Sequence, residues 1–165
     1  TENTFNAYLG DTLSGPYLRT GDLGFLDKYG ELFITGRIKE LIKLHGSNYY
    51  PQDLENTVAN CLDECRPNST IAFSTLEQNR EVLIIVQGIT KQQMSLPFNT
   101  LAKRIRNTVQ DKNGIVPENV IFTLAKNIPK TTSGKLRRNT FRQAYINDQI
   151  EKIYEWAKKA EYCYD

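Results

Sequence analysis

The stretch EVLIIVQGI, residues 81–89, constrains the fold more than any other part of the chain. Its unbroken run from Val82 to Val86 offers no polar side to water, so as a strand it is too apolar to lie on an open sheet edge. STIAFSTL at 69–76 and NVIFTLA at 119–125 read as companion strands. PQDLENTVANCL at 51–62 reads as a helix: Pro51 suits its first turn, and Asp53 and Glu55 complement the positive end of its dipole. Leu54, Val58, Cys61 and Leu62 form its apolar face. A second helix is predicted from about Leu96, with Phe98, Leu101, Ile105 and Val109 inward, Lys103, Arg104 and Arg106 mostly outward, and Gly114 as its stop. The 4-3-4 spacing of Ile146, Ile150, Ile153 and Ala157 predicts a last helix from about Leu136 to Tyr162.

This order predicts a compact α+β domain from about Lys39 onward, with short mixed and antiparallel sheets flanked by helices. Ahead of it, LGFLDKYGELFITG at 23–36 reads as two short strands around a turn that Asp27 opens and Gly30 closes. That hairpin has too little apolar surface to form a core alone and is expected to belong to something larger. ELIKLHG at 40–46 is a further short extended run.

Length and charge narrow the function. A chain of 165 residues makes one domain, or one domain and a piece of another. Its formal charge of +2 is too small for a general polyanion binder, so any basic patch is local. No apolar run approaches the roughly 18 residues of a membrane span. The polar start, TENTFNAYLGDTLSGPY, lacks the apolar core of a signal peptide. With Thr1 first and Met94 the only methionine, the chain reads as a fragment or a processed product. Cys61, Cys65 and Cys163 have no framework spacing, and His45 is the only histidine. Cys61 and Cys65 could share a metal on one helix face, but no further pair completes four ligands, so bystander thiols in a reducing cytoplasm are expected.

The local basic patch is NIPKTTSGKLRRNTF, residues 127–141. Lys130, Lys135, Arg137, Arg138 and, just beyond, Arg142 crowd together without an acid. The loop resembles a P-loop only in part: it lacks the first glycine, and Leu136 stands where a magnesium-binding hydroxyl belongs. What remains is Gly134 as a hinge that presents an ammonium group. Alone, the loop reads more readily as a solvated basic turn. Two other stretches accompany it. YLRTGDLG at 17–24 places Asp22 in a sharp turn, where a carboxylate can accept both hydroxyls of a ribose, although taken alone it reads more readily as a plain turn aspartate. GRIKELIKLHGSNYYPQDLE at 36–55 adds Arg37, whose forked donors suit a ribose or phosphate oxygen, and Gly46, where close passage of the backbone is expected.

In this order, YLRTGDLG, GRIKELIKLHGSNYYPQDLE and PKTTSGKLRR resemble the final motifs of the adenylate-forming superfamily, over about Tyr17 to Tyr145. GSNYYPQDLE looks most like the fatty acyl-AMP ligases, which pass an acyl-adenylate to an acyl carrier protein. Ser47 departs from the aromatic or positive residue common in those patterns. The resemblance implies that residues 1–38 end a large N-terminal adenylation domain and that 39–165 form its C-terminal lid. Asp22 is then expected to bind the ribose hydroxyls of ATP, and Arg37 the ribose or a neighbouring phosphate. Lys39 matches the hinge of the lid, and the Gly46 loop is the one that faces the site during transfer. Lys135 matches the adenylation lysine that bridges the acyl carboxylate, the ribose oxygen and the α-phosphate.

The resemblance further implies ATP with Mg2+, whose ligands would lie in the large domain, and a fatty acid. It also implies an acyl carrier protein, or a carrier domain of a polyketide or peptide synthase, as partner. Lacking the phosphate loop and the acyl tunnel, the chain by itself is expected to be inactive. The nearest alternatives are the lid of an acyl-CoA synthetase or of a peptide-synthetase adenylation domain. A basic nucleic-acid-binding module is a rival of another class, though only Phe141 interleaves the basic stretch for stacking. A stand-alone interaction domain docking an acidic carrier would leave the Asp22 and Arg37 motifs unexplained.

Overall fold

The apolar run at 81–89 becomes an interior strand of a four-stranded sheet covered on both faces. The structure, a computed structural model, describes residues 17–63 and 69–157. The chain divides into two compact units, Thr1–Leu41 and Ile42–Asp165. The α+β class expected from the sequence is the one observed.

The described part of the first unit is an antiparallel hairpin of β1 (Asp22–Leu26) and β2 (Leu32–Arg37). Asp27 builds the turn, its carboxylate accepting the N–H of Tyr29 at 2.8 Å and of Glu31 at 2.9 Å. At Gly24, beside a register shift, a Cβ would lie 2.5 Å from the Phe33 carbonyl, so no larger residue fits. Phe25 stacks on Phe33 with centroids 5.3 Å apart. Yet Phe25, Leu26, Tyr29, Leu32, Phe33 and Ile34 are all exposed. The hairpin does not lack apolar side chains; two strands alone have nothing to bury them against.

The second unit opens with a short hairpin, β3 (Ile42–Leu44) and β4 (Ser47–Tyr49), followed by α1 (Pro51–Ala59). Its sheet is built from β5 (Thr70–Glu77), β6 (Arg80–Ile89), β7 (Asn119–Leu124) and β8 (Tyr154–Ala157) in that spatial order. β6 and β7 are parallel, and the crossover this requires is α2 (Phe98–Asn113). The other two pairings are antiparallel. Gly114 ends α2 as expected, at φ 70°.

Strand alternation sorts the apolar side chains onto two faces. Leu83, Ile85, Val120 and Phe122 pack with Leu54 and Val58 of α1 and Leu101, Ile105 and Val109 of α2. Ile71, Phe73, Val82, Ile84, Val86 and Ile121 turn the other way, towards Ile128 and Phe141. Phe141 belongs to α3 (Arg138–Ile146). Each fully buried Leu, Ile, Val or Phe contributes about 1.5–3 kcal/mol, which is why β6 can be apolar from Val82 to Val86.

The C-terminal segment corrects the sequence-based expectation. The helix begins near the predicted position but stops at Ile146, and Asp148 at φ 51° takes the chain out of helical geometry. Ile150 then packs on one face of the sheet and Ile153 on the other, an arrangement no single helix face allows. β8 pairs with β7, which would otherwise be an unpaired edge, and Tyr154 and Trp156 point inward at period two. Arg106 likewise departs from the expected outward placement. Its guanidinium stacks 3.8 Å above Trp156, and its Nε donates to the Pro117 carbonyl at 2.9 Å. Residues 158–165, with Tyr162 and Cys163, lie outside the described residues, as does Cys65. Among the described residues no helix is long and apolar enough to cross a membrane.

One network on the α3 side carries a pH prediction. The Tyr145 hydroxyl donates to Glu77 at 2.6 Å, and the Asn119 amide donates to both at 3.0 and 3.3 Å. Burial first, and the hydrogen bond to Glu77 second, raise the Tyr145 pKa above its ordinary value. The folded state therefore holds a proton that the unfolded chain releases above about pH 10, so stability falls as pH rises through that range. Tyr145→Phe should flatten the alkaline limb of a plot of urea midpoint against pH. An unchanged limb would assign the alkaline sensitivity to another group.

Candidate functional site

The first unit brings two of the candidate residues together. Asp22 and Arg37 are cross-strand partners in the β1–β2 register, and Arg37 Nε lies 3.1 Å from Asp22 Oδ1. Gly21 at φ 76° makes the bend ahead of Asp22, and its carbonyl accepts the Ile38 N–H at 2.9 Å. The Asp22 N–H donates to the Thr20 hydroxyl at 3.1 Å. An anionic and a cationic side chain, both reachable from water, thus lie side by side at one end of a short ribbon. Lys39 follows in a single 3-10 turn, Ile38–Glu40, exposed and just ahead of the division between the units.

Gly46 sits at the tip of the β3–β4 hairpin, where His45 at φ 51° and Gly46 at φ 77° form a two-residue turn. Positive φ at both central positions suits the right-handed twist of the flanking strands. The close approach expected at Gly46 is absent: a Cβ there would meet nothing within 4 Å. The glycine answers to backbone conformation, not to crowding.

The basic loop is not slack. Thr131 donates its N–H to the Lys135 carbonyl at 2.8 Å, and Gly134 donates its N–H to the Thr131 carbonyl at 2.9 Å. The Thr131 hydroxyl accepts the Lys135 N–H at 3.0 Å and lies 2.9 Å from the Ser133 hydroxyl. A β-bridge between Lys130 and Leu136, and the Arg137 N–H on the Pro129 carbonyl at 3.0 Å, continue the pairing. The result is a tight hairpin with Gly134 at φ 80°, and the Lys135 side chain projects from it exposed. A stiff ribbon presents the ammonium at less entropic cost than a free loop would.

The neighbouring arginines divide. Arg137 is exposed. Arg138 instead closes a forked ion pair on Glu55, with Nε–Oε1 and Nη2–Oε2 both 2.7 Å. The two side chains retain only 12% and 9% exposure. Glu55 Oε1 also accepts the Ala72 N–H at 3.1 Å, and Arg142 Nε donates to the Ser74 carbonyl at 2.7 Å. Together α1 and α3 cap the outer edge of β5. Arg138 thus neither merely solvates its helix nor is free to meet a partner. Sequence reasoning gave Glu55 only a dipole role, because a partner 83 residues away leaves no local signal. No group of three or more His, Cys, Asp or Glu side chains among the described residues could hold a metal ion.

Solved structures sharing this fold include adenylate-forming enzymes. The fatty acid AMP ligase from Legionella pneumophila matches at TM-score 0.59 and 31% identity, over 95% of this chain and 27% of its own. McyG A-PCP complexed with phenylalanyl-adenylate matches at TM-score 0.67 and 34% identity, over 79% and 23%. The family model described as Disco-interacting protein 2-like, AMP domain, matches residues 39–155, and the chain belongs to that family. The medium-chain-fatty-acid–[acyl-carrier-protein] ligase JamA of Moorena producens is 40% identical over 92% of this chain and 26% of its own length. The 4-hydroxyphenylalkanoate adenylyltransferase of Mycobacterium marinum is 35% identical over 93% and 25%. The chain spans about a quarter of the length of these curated relatives.

Proposed function

We propose that this chain is the C-terminal part of an ATP-dependent fatty acyl-AMP ligase that passes its acyl group to an acyl carrier protein or a carrier domain. The observation that carries this reading is the Lys135 hairpin, a hydrogen-bonded ribbon that holds the exposed Lys135 ammonium in the motif order of ligases that form acyl-adenylates. In the first half-reaction a carboxylate oxygen attacks the α-phosphorus of ATP, the acyl phosphate bond forms, and pyrophosphate leaves. Both reactants are anionic, so the step depends on placed positive charge. Lys135 supplies it between the acyl carboxylate and the α-phosphate. Asp22 accepts the ribose hydroxyls, and Arg37, already beside it, takes a ribose or phosphate oxygen.

In the second half-reaction the carrier thiol attacks the acyl carbon. The C–S bond forms, AMP leaves, and the thiol proton passes to solvent. The lid pivots at Lys39 between the two steps, exchanging the Lys135 hairpin for the Gly46 hairpin. Residues 1–38 belong to the large N-terminal domain, and 39–165 form the lid. The exposed apolar side chains of the β1–β2 hairpin support this division, since two strands cannot bury them by themselves. A magnesium ion accompanying ATP takes its protein ligands outside the described residues. The setting is cytoplasmic. A nucleic-acid-binding reading weakens because Arg138 and Arg142 are spent on internal contacts.

The test is a product assay on the full-length protein, supplied with a fatty acid, ATP, and either holo-carrier or CoA. Acyl-AMP and acylated carrier with little acyl-CoA are expected, and this chain alone should form no acyl-AMP. Efficient acyl-CoA formation would make it an acyl-CoA synthetase. Pyrophosphate release by the isolated chain would overturn the division of labour.

A further inference from the structure

We infer that Arg138, gripped by Glu55, is a positioning residue that sets the reach of Lys135, an inference that rests on the adenylation role proposed for that lysine. The hairpin 129–137 is closed by its own hydrogen bonds, so it moves as one piece about its base. That base is attached in two ways. On one strand Ile128 is buried among the side chains of the second sheet face. The other strand runs directly into α3, whose first residue is Arg138, three positions after Lys135.

The Arg138 guanidinium is fixed at both prongs by Glu55. Glu55 is itself fixed to the backbone of β5 through Ala72. The chain of contact therefore runs from the sheet edge through α1 to the foot of the lysine hairpin. A planar fork fixes an angle as well as a distance, which a point charge cannot do. Since a displacement of about 1 Å at a reacting group can cost roughly 10²-fold in rate, loosening this foot should be felt at Lys135.

Arg142 provides an internal comparison. It lies one helical turn further on, reaches the same strand edge through the Ser74 carbonyl, and has no part in the hairpin foot. The experiment measures both half-reactions and thermal stability in the full-length protein for Arg138→Lys and Arg142→Lys. Arg138→Lys should lower the adenylation kcat about tenfold, with the KM for ATP and for fatty acid unchanged, because charge is kept but angle is lost. Transfer from pre-made acyl-AMP should change little. Arg142→Lys, which loses one hydrogen bond to a carbonyl, should also lower Tm while leaving kcat within about twofold.

Glu55→Gln keeps the shape of the pair and the acceptor for the Ala72 N–H. It should reproduce the kcat loss, providing a second measurement if Arg138→Lys folds poorly. An adenylation kcat unchanged in both variants, or lowered equally by Arg142→Lys, would make the pair a stabilising contact only. Failure of the underlying reading looks different: Lys135→Ala would then retain its adenylation rate.

Discussion

Lys135→Ala in the full-length protein should slow acyl-AMP formation by about 10²–10³, the usual cost of removing one preorganised donor from a site where charge shifts in the transition state. The structure sharpens this expectation. The lysine backbone is pinned through both its N–H and its carbonyl to Thr131, so the ammonium approaches from a defined direction and little reorganisation precedes the step. Transfer from pre-made acyl-AMP to the carrier should survive nearly intact, because the proposed rotation of the lid withdraws the hairpin in that step. Lys130→Ala is the matched comparison. Lys130 pairs with Leu136 on the opposite face of the same ribbon, so it adds charge of the same sign without the same reach. Equal damage from the two changes would show a diffuse basic patch. Loss of transfer in Lys135→Ala would show that the lysine stays in place between steps.

Glu55→Ala should destabilise the second unit by about 3–5 kcal/mol, the range for removing one partner from a buried ion pair. The reason is less the lost attraction than what remains: an Arg138 guanidinium at 12% exposure without its carboxylate, and an Ala72 N–H without its acceptor. Replacing both residues by apolar ones of similar size, Glu55→Leu with Arg138→Met, should recover much of this. A residual cost of about 1–3 kcal/mol for the unsatisfied Ala72 N–H would persist. Urea denaturation of the single and double variants measures both quantities. A single-variant cost below about 1 kcal/mol would place the pair among surface contacts, contrary to its burial.

Part of the local geometry around the candidate residues was legible because its signals are local. Asp27 and Gly30 close their turn within a few residues of each other, as expected, whereas Gly134, read as a hinge, lies in a hairpin that Thr131 holds closed. Gly46 was legible as special but for another reason than supposed: a two-residue turn needs positive φ, and no crowding is involved. The last helix was misread because its isoleucine spacing is helical in number. Asn147 and Asp148 break the path between them, and the residues that follow bury on opposite faces of one sheet.

By itself the sequence determined the central apolar strands, the first two helices, the Asp27–Gly30 turn, and the three motifs that resemble the final motifs of adenylate-forming enzymes. All of these depend on neighbours within one or two turns of chain, where periodicity and backbone preference act directly. Only the tertiary structure decided that the end of the chain pairs as a strand with β7, and that one arginine of the Arg137–Arg138 pair is exposed while the other is buried against Glu55. Those outcomes turn on unpaired strand edges and on a charge partner 83 residues away. The free energy of each comes from satisfying a distant group removed from water, and no local spacing encodes where that group will be.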